Sequence, residues 1–219
     1  MRLGRYEFDL NGFLLLPGLL SSEELGPIIE HQLAFRNDRD SLPPEQRDWH
    51  GGASVRLLDH PAIVGVLNEV LSHQGLATED CYGFRYDHTG LKYREAGKEQ
   101  PGADWAPHGG GGLFNFRGNS HIYQMEKNHV HAGLVRVVWE LTEVTAGSGG
   151  THFIPGSHKA AFVRPPALSE KSSELWRTYS CPAGSAIVFT ESITHTATEW
   201  VSPWPRIALF TCYDTVNSM

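Results

Sequence analysis

From Cys81 onward the chain breaks into short β-prone runs separated by Gly and Pro, with no amphipathic helix joining one run to the next. Residues 82–86, 133–141, 151–154, 185–190, 194–200 and 206–213 all read as strands. Neighbouring parallel strands need long crossover connections, usually helical. This texture therefore excludes a parallel α/β sheet and predicts a sandwich or barrel.

The first 80 residues read differently. Gly12-Phe13-Leu14-Leu15-Leu16-Pro17-Gly18 is a short apolar strand stopped by Pro-Gly. Ser21 then supplies a hydroxyl N-cap, with Glu23 and Glu24 in the first turn where the helix dipole favours carboxylates, for a helix running to about Arg36. Residues 37–56 are polar and aperiodic, a loop. Pro61 suits the first position of a second helix, with Ile63, Leu67, Val70 and Leu71 at helical spacing. Residues 1–80 thus form a helical layer and residues 81–219 a β core. No linker separates them, so one domain is expected across 1–219.

Composition narrows the function classes. Lys+Arg 18 against Asp+Glu 25 gives a net charge of −7, which argues against a nucleic-acid-binding surface. No run approaches the eighteen apolar residues of a membrane span. Cys81, Cys181 and Cys212 form no CxxC pair, so reduced thiols and a cytoplasmic location are expected. The partner is then a small molecule, with neither nucleic acid nor membrane; the oligomeric state is not legible.

Chemistry concentrates in three residues: His108 in Ala-Pro-His-Gly-Gly-Gly-Gly, His195 in Phe-Thr-Glu-Ser-Ile-Thr-His, and Arg206 eleven residues later. Two histidines and a carboxylate on one face of an octahedral ion suit non-heme Fe(II), because they leave positions open for a cosubstrate and O₂. A strand presents residues i and i+2 on one side, and a buried arginine can hold the far carboxylate of a 2-oxoacid by bidentate hydrogen bonds. An inward Arg206 would share its face with Ala208, Phe210 and Cys212. The glycine run at 109–112 is no phosphate loop, since no Gly-Lys-Ser/Thr follows it; its use is backbone freedom.

Three segments carry a family resemblance. Residues 11–25, from Asn11-Gly12-Phe13 to Glu24-Leu25, form an opening strand and helix. Val138-Trp139-Glu140-Leu141 leads to Gly149-Gly150-Thr151-His152-Phe153-Ile154-Pro155-Gly156-Ser157-His158, and Pro182-Ala183-Gly184-Ser185 precedes His195 and Arg206. Together they resemble the phytanoyl-CoA dioxygenase family of Fe(II)/2-oxoglutarate-dependent oxygenases. The resemblance implies a double-stranded β-helix, or jelly roll, behind N-terminal helices. It implies His108 and His195 as iron ligands, Arg206 as the 2-oxoglutarate clamp and Trp139 as a residue lining the cosubstrate pocket.

The family's carboxylate ligand would stand at Gly110, which has no side chain. One account borrows a carboxylate. Asp104 and Glu191 each precede a histidine by four residues, a span of roughly 13 Å along a strand, so neither could share the metal without a sharp bend; Glu126 could fold over from the insert. A second account places chloride on the iron, as in halogenases of this superfamily. A third is loss of iron binding, leaving a non-catalytic cupin-like module.

Each sharp reading has a plainer rival. A lone strand-end histidine is usually structural, and Arg206 could be a surface charge. His50 is expected to be a decoy, His152 and His158 to belong to the turn at Pro155-Gly156, and Trp200 and Trp204 to pack at the rim. His121, His129 and His131 could be solvated or line a substrate mouth. Trp139 fits core filler as well as pocket wall. The insert at 109–131, with Phe114, Phe116, Arg117, Asn119 and Tyr123, is the expected substrate cover, and Phe116, Arg117 and Tyr123 the expected substrate-lining side chains. The resulting expectation is an oxygenase that hydroxylates a small molecule through a two-histidine iron site.

Overall fold

The computed structural model describes residues 2–72, 77–110, 121–126 and 128–215. Three helices precede most of the β structure: α1 (Arg2–Asn11), α2 (Ser22–Asn37) and α3 (Pro61–Val70). Ser21 caps α2 in a capping box, its hydroxyl accepting from the Glu24 amide while the Glu24 carboxylate accepts from the Ser21 amide. Pro61 opens α3, whose Ile63, Leu67 and Val70 are buried.

The main sheet is antiparallel in the order β1-β7-β5-β9-β2. Its strands are β1 (Phe13–Leu16), β2 (Phe84–Arg94), β5 (Leu134–Glu140), β7 (Ser185–Thr190) and β9 (Arg206–Thr215). Facing it, β6 (Gly150–Ile154) pairs with β8 (Thr194–Thr198), and this small sheet is widened by backbone bridges at His108 and Arg177. The hairpin β3 (Tyr123–Glu126) and β4 (His129–Ala132) stands apart from both. The fold is a mostly β jelly roll with helices on one side. β1 lies in the same sheet as the strands that follow residue 80.

Side-chain alternation sorts the sheet into two cores. Val135, Val137, Trp139, Ile207 and Leu209 join the cluster packed with Ile28, Ile63 and Leu67 of the helices. Val138, Ile187, Phe189 and Ala208 join Phe153 and Tyr179 between the sheets. Arg136 and Glu140 on β5, and Arg206 on β9, have the parity of this second set, and so project into the barrel.

The β runs at 133–141, 151–154, 185–190, 194–200 and 206–213 appear within a few residues of their expected bounds. Two elements depart from expectation. α1, at residues where no helix is expected, has one buried apolar residue, Phe8, and is held largely by polar contacts at Asp9. β2 runs to Arg94, well past residue 86, because an exposed edge strand can be polar.

Candidate active site

His108 and His195 come together as backbone neighbours. The two residues exchange both backbone hydrogen bonds (His108 N to His195 O 3.1 Å, His195 N to His108 O 2.9 Å), and their ring centroids lie 4.1 Å apart. Each imidazole is fixed in the same way. Nδ1 of His108 lies 2.9 Å from the Ala106 carbonyl oxygen, and Nδ1 of His195 lies 2.9 Å from that of Ile193. A carbonyl can only accept, so both Nδ1 atoms carry the proton, and both Nε2 lone pairs meet no hydrogen-bond donor among the described residues. That tautomer is the one a metal-binding histidine needs, with the second nitrogen tied to orient the ring. His195 is buried, and burial pushes its pKa down to about 4, which keeps it neutral.

Gly110 lies in a turn and not on a continuing strand. The chain leaves strand geometry after His108, with φ of +77° at Gly109 and +90° at Gly110. The alternation that would put residues 108 and 110 on one side does not hold through such a turn. The glycines lie flat against the turn between β7 and β8: Gly110 donates its amide to Ser192 O at 2.7 Å. A Cβ at Gly109 would overlap the Ile193 carbonyl, and one at Gly110 would overlap Thr194 Oγ1. That hydroxyl, which accepts from Arg164 at 2.9 Å, stands where a side chain at 110 would go.

The same turn corrects the expectation about Glu191. Four extended residues would carry its carboxylate away from His195, but β7 ends at Thr190, where the chain reverses with Ile193 N bonded to Thr190 O at 3.0 Å. Glu191 Oε2 therefore lies 3.7 Å from His195 Nε2. Its Oε1 accepts from Arg136 Nε. Burial alone would raise the Glu191 pKa; His195 and Arg136, with a contribution from His121, outweigh it and hold the group below the usual carboxylate range. Among the described residues no three His, Cys, Asp or Glu side chains already close on one metal-sized point. Asp104 is exposed beside Trp105, and Glu126 is exposed opposite His129 in the β3–β4 hairpin.

Arg206 is inward and fully buried, as a clamp would be, and its guanidinium is already engaged. Nε donates to Glu140 Oε2 at 3.1 Å, Nη2 donates to Glu140 Oε1 and lies 3.1 Å from Tyr179 Oη, and Tyr179 donates to Glu140 at 2.6 Å. Arg94, directly across from Arg206 on β2, is a residue that sequence reasoning missed. It is buried, donates among the described residues to the carbonyls of Thr198 (3.3 Å) and Gly102 (2.9 Å), and burial and Arg206 push its pKa down to about 10. Arg94 and Arg206 against Glu140 leave this floor of the barrel one positive charge in excess. Tyr179 also lines a cavity of about 480 Å³ with Trp105, His152, Lys171 and Glu199, on the floor side and not at the histidines.

Other expected site residues fall elsewhere. Trp139 has the outward parity of β5 and meets His60 edge to face at 5.3 Å in the helix layer, so it is core and not pocket wall. Tyr123 is fully buried, donates to Asp9 at 3.0 Å and packs on His158, so it is not free to line a substrate. Phe116 and Arg117, with Phe114 and Asn119, lie outside the described residues. His50 bonds Thr89 and Thr211 and ties the helical layer to the sheet.

Fold and paired histidines together define the jelly-roll class of which many metal-dependent oxygenases are built. More specifically, the family model "Phytanoyl-CoA dioxygenase (PhyH)" matches residues 8–208, and the chain belongs to that family. This makes it a non-heme oxygenase by class. Among solved structures, HygX from Streptomyces hygroscopicus, crystallised with nickel and 2-oxoglutarate, superposes with a TM-score of 0.75 at 17% identity, over 99% of this chain and 87% of that one. The non-heme alpha ketoglutarate dependent epimerase SnoN from nogalamycin biosynthesis gives 0.63 at 15%, over 98% and 80%. The non-heme monooxygenase ThoJ, as its nickel complex, gives 0.64 at 15%, over 98% and 78%. No curated protein sequence matches the chain.

Proposed function

We propose that this protein is an Fe(II)- and 2-oxoglutarate-dependent oxygenase that oxidises a small molecule. The observation that carries the reading is the matched pair of imidazoles, each with Nδ1 tied to a carbonyl and Nε2 unprotonated. HygX has been crystallised with hygromycin B and SnoN with nogalamycin RO, so related barrels admit sizeable small molecules. His108 and His195 would hold the iron, which would supply O₂ activation coupled to decarboxylation of the 2-oxoacid. The chain's own residues bind and orient. The excess positive charge of Arg94 and Arg206 at the floor receives the far carboxylate of the cosubstrate, while Val138, Ile187 and Phe189 wall the barrel between floor and histidines and keep water out. Hydroxylation is the expected outcome for a substrate C–H bond.

Anaerobic Fe(II) titration, followed by 2-oxoglutarate and O₂ with succinate as the readout, tests this. Wild type is expected to bind one iron and release succinate, and His195→Ala to lose both. An iron-loaded protein that makes no succinate under any condition overturns it. The halogenase alternative, with chloride in the position vacated at Gly110, predicts chloride-dependent spectra and products. Thr194 Oγ1 beside Gly110 weighs against it.

A further inference from the structure

We infer that Glu191 is the carboxylate that completes the metal site, taking over from the turn between β7 and β8 the task for which position 110 has no side chain. The inference rests on the reading of His108 and His195 as iron ligands and adds the third protein ligand to it.

Four observations converge. The first is proximity: Glu191 Oε2 lies 3.7 Å from His195 Nε2, the ring nitrogen left unprotonated when Nδ1 donates to the Ile193 carbonyl. Two cis ligands about 2.1 Å from an octahedral ion stand about 3 Å apart. The carboxylate thus needs to close by only about 0.7 Å, within the reach of small side-chain rotations. The second is division of labour within the carboxylate. Arg136 holds Oε1, and Oε2 accepts no hydrogen bond among the described residues. A ligating carboxylate with one oxygen on the metal and the other on a hydrogen-bond donor is the usual outer-shell arrangement. Third, Gly109 and Gly110 pack on residues 192–194 so closely that no side chain fits between, which fixes the Glu191 turn against the strand end bearing His108. Fourth, position 110 is unfavourable for a carboxylate: its φ is one that side-chain-bearing residues rarely adopt, and a Cβ there would overlap Thr194 Oγ1. The glycine substitution and the borrowed ligand are thus two sides of one backbone contact.

Anaerobic calorimetric titration with Fe(II), paralleled by Mn(II) binding followed by electron paramagnetic resonance, tests the assignment on wild type, Glu191→Gln and Arg136→Gln. Gln at 191 keeps the shape and can still accept from Arg136, so the fold is retained. Loss of an outer-shell partner costs about 10–100-fold in metal affinity, so Arg136→Gln is expected to fall in that range and Glu191→Gln, which removes the ligand itself, to lose clearly more. If Glu191 acted only as the partner of Arg136, the two variants would lose affinity equally, and that result overturns the inference. So does unchanged affinity in Glu191→Gln, which leaves the two-histidine reading standing. A wild type that binds neither metal overturns both. Crystals soaked in Fe(II) should show a Glu191 oxygen about 2.0–2.2 Å from the metal; a site ligated by the histidines and water alone, with Glu191 still only on Arg136, again overturns it.

Discussion

Glu140 with Arg206 at the floor of the barrel, and Glu191 with Arg136 near the histidines, are the same two chemical groups brought to different degrees of completion. At the floor both carboxylate oxygens are taken, Tyr179 closes a ring of hydrogen bonds, and side-chain exposure is 1% for the arginine and 0% for the glutamate. Near the histidines only one carboxylate oxygen is held among the described residues, and the Arg136 side chain is 22% exposed. The difference teaches what each pair can do. A closed buried pair has already offset its desolvation and has no oxygen to offer, whereas a pair with one open oxygen can take a further positive partner. Charge complementarity alone would not distinguish the two; hydrogen-bond occupancy does.

The largest expected effect breaks the floor. Glu140→Ala strands a fully buried guanidinium and should lower unfolding free energy by about 3–5 kcal/mol, measured by urea denaturation. Glu191→Ala should lower it by less, about 1–3 kcal/mol for a lost buried hydrogen-bond partner, because Arg136 can turn toward solvent. Equal losses would erase the distinction. Next in size is Gly110→Asp, which restores the family's residue type at a position unfavourable for a carboxylate. A left-handed φ and the overlap with Thr194 should together destabilise by about 1–3 kcal/mol, and Fe(II) affinity should not rise above wild type. A tighter site in this variant would reopen position 110 as a ligand.

Acid reads out a third buried group, outside both pairs. His158 is buried, its Nε2 donates to Asp9 O at 3.0 Å, and its Nδ1 has no partner. A second proton there would be buried without an acceptor, and burial pushes the pKa down to about 4. The unfolded chain takes up that proton near 6.5, so the stability this group contributes is complete above pH 6.5 and is lost as pH falls toward 4. His158→Gln, which can still donate to Asp9, should flatten unfolding free energy across that window. An unchanged slope would place the acid sensitivity in the pairs themselves.

Much of this was legible in the chain. The β texture after Cys81, the Ser21 capping box, Pro61 and the order His108, His195, Arg206 are local signals, and the structure shows the fold they predict. What escaped depended on parity and turning. Trp139 and Glu140 are adjacent in sequence, so no spacing rule says which faces the barrel until the register with β7 and β9 is known. Glu191 looked out of reach because its distance from His195 was measured along an extended strand, and the reversal at Thr190 leaves no Pro or Gly to announce it. Arg94 sits on a polar edge strand with no apolar alternation to mark its inward end. Helix α1 likewise is held by partners distant in sequence.

Strand β5 has a consequence for folding as well as chemistry. Its inward face carries a guanidinium at one end, Arg136, and a carboxylate at the other, Glu140, each matched to a partner of opposite sign on a different strand or turn. A slip of one residue would send Arg136, Val138 and Glu140 out against the helices and bring Val135, Val137 and Trp139 in. Both charge pairs would break at once, and two arginines and two glutamates would need new partners in apolar surroundings. The two pairs therefore act as a polarity key for the central strand, one that rejects misregistered sheets while the barrel assembles.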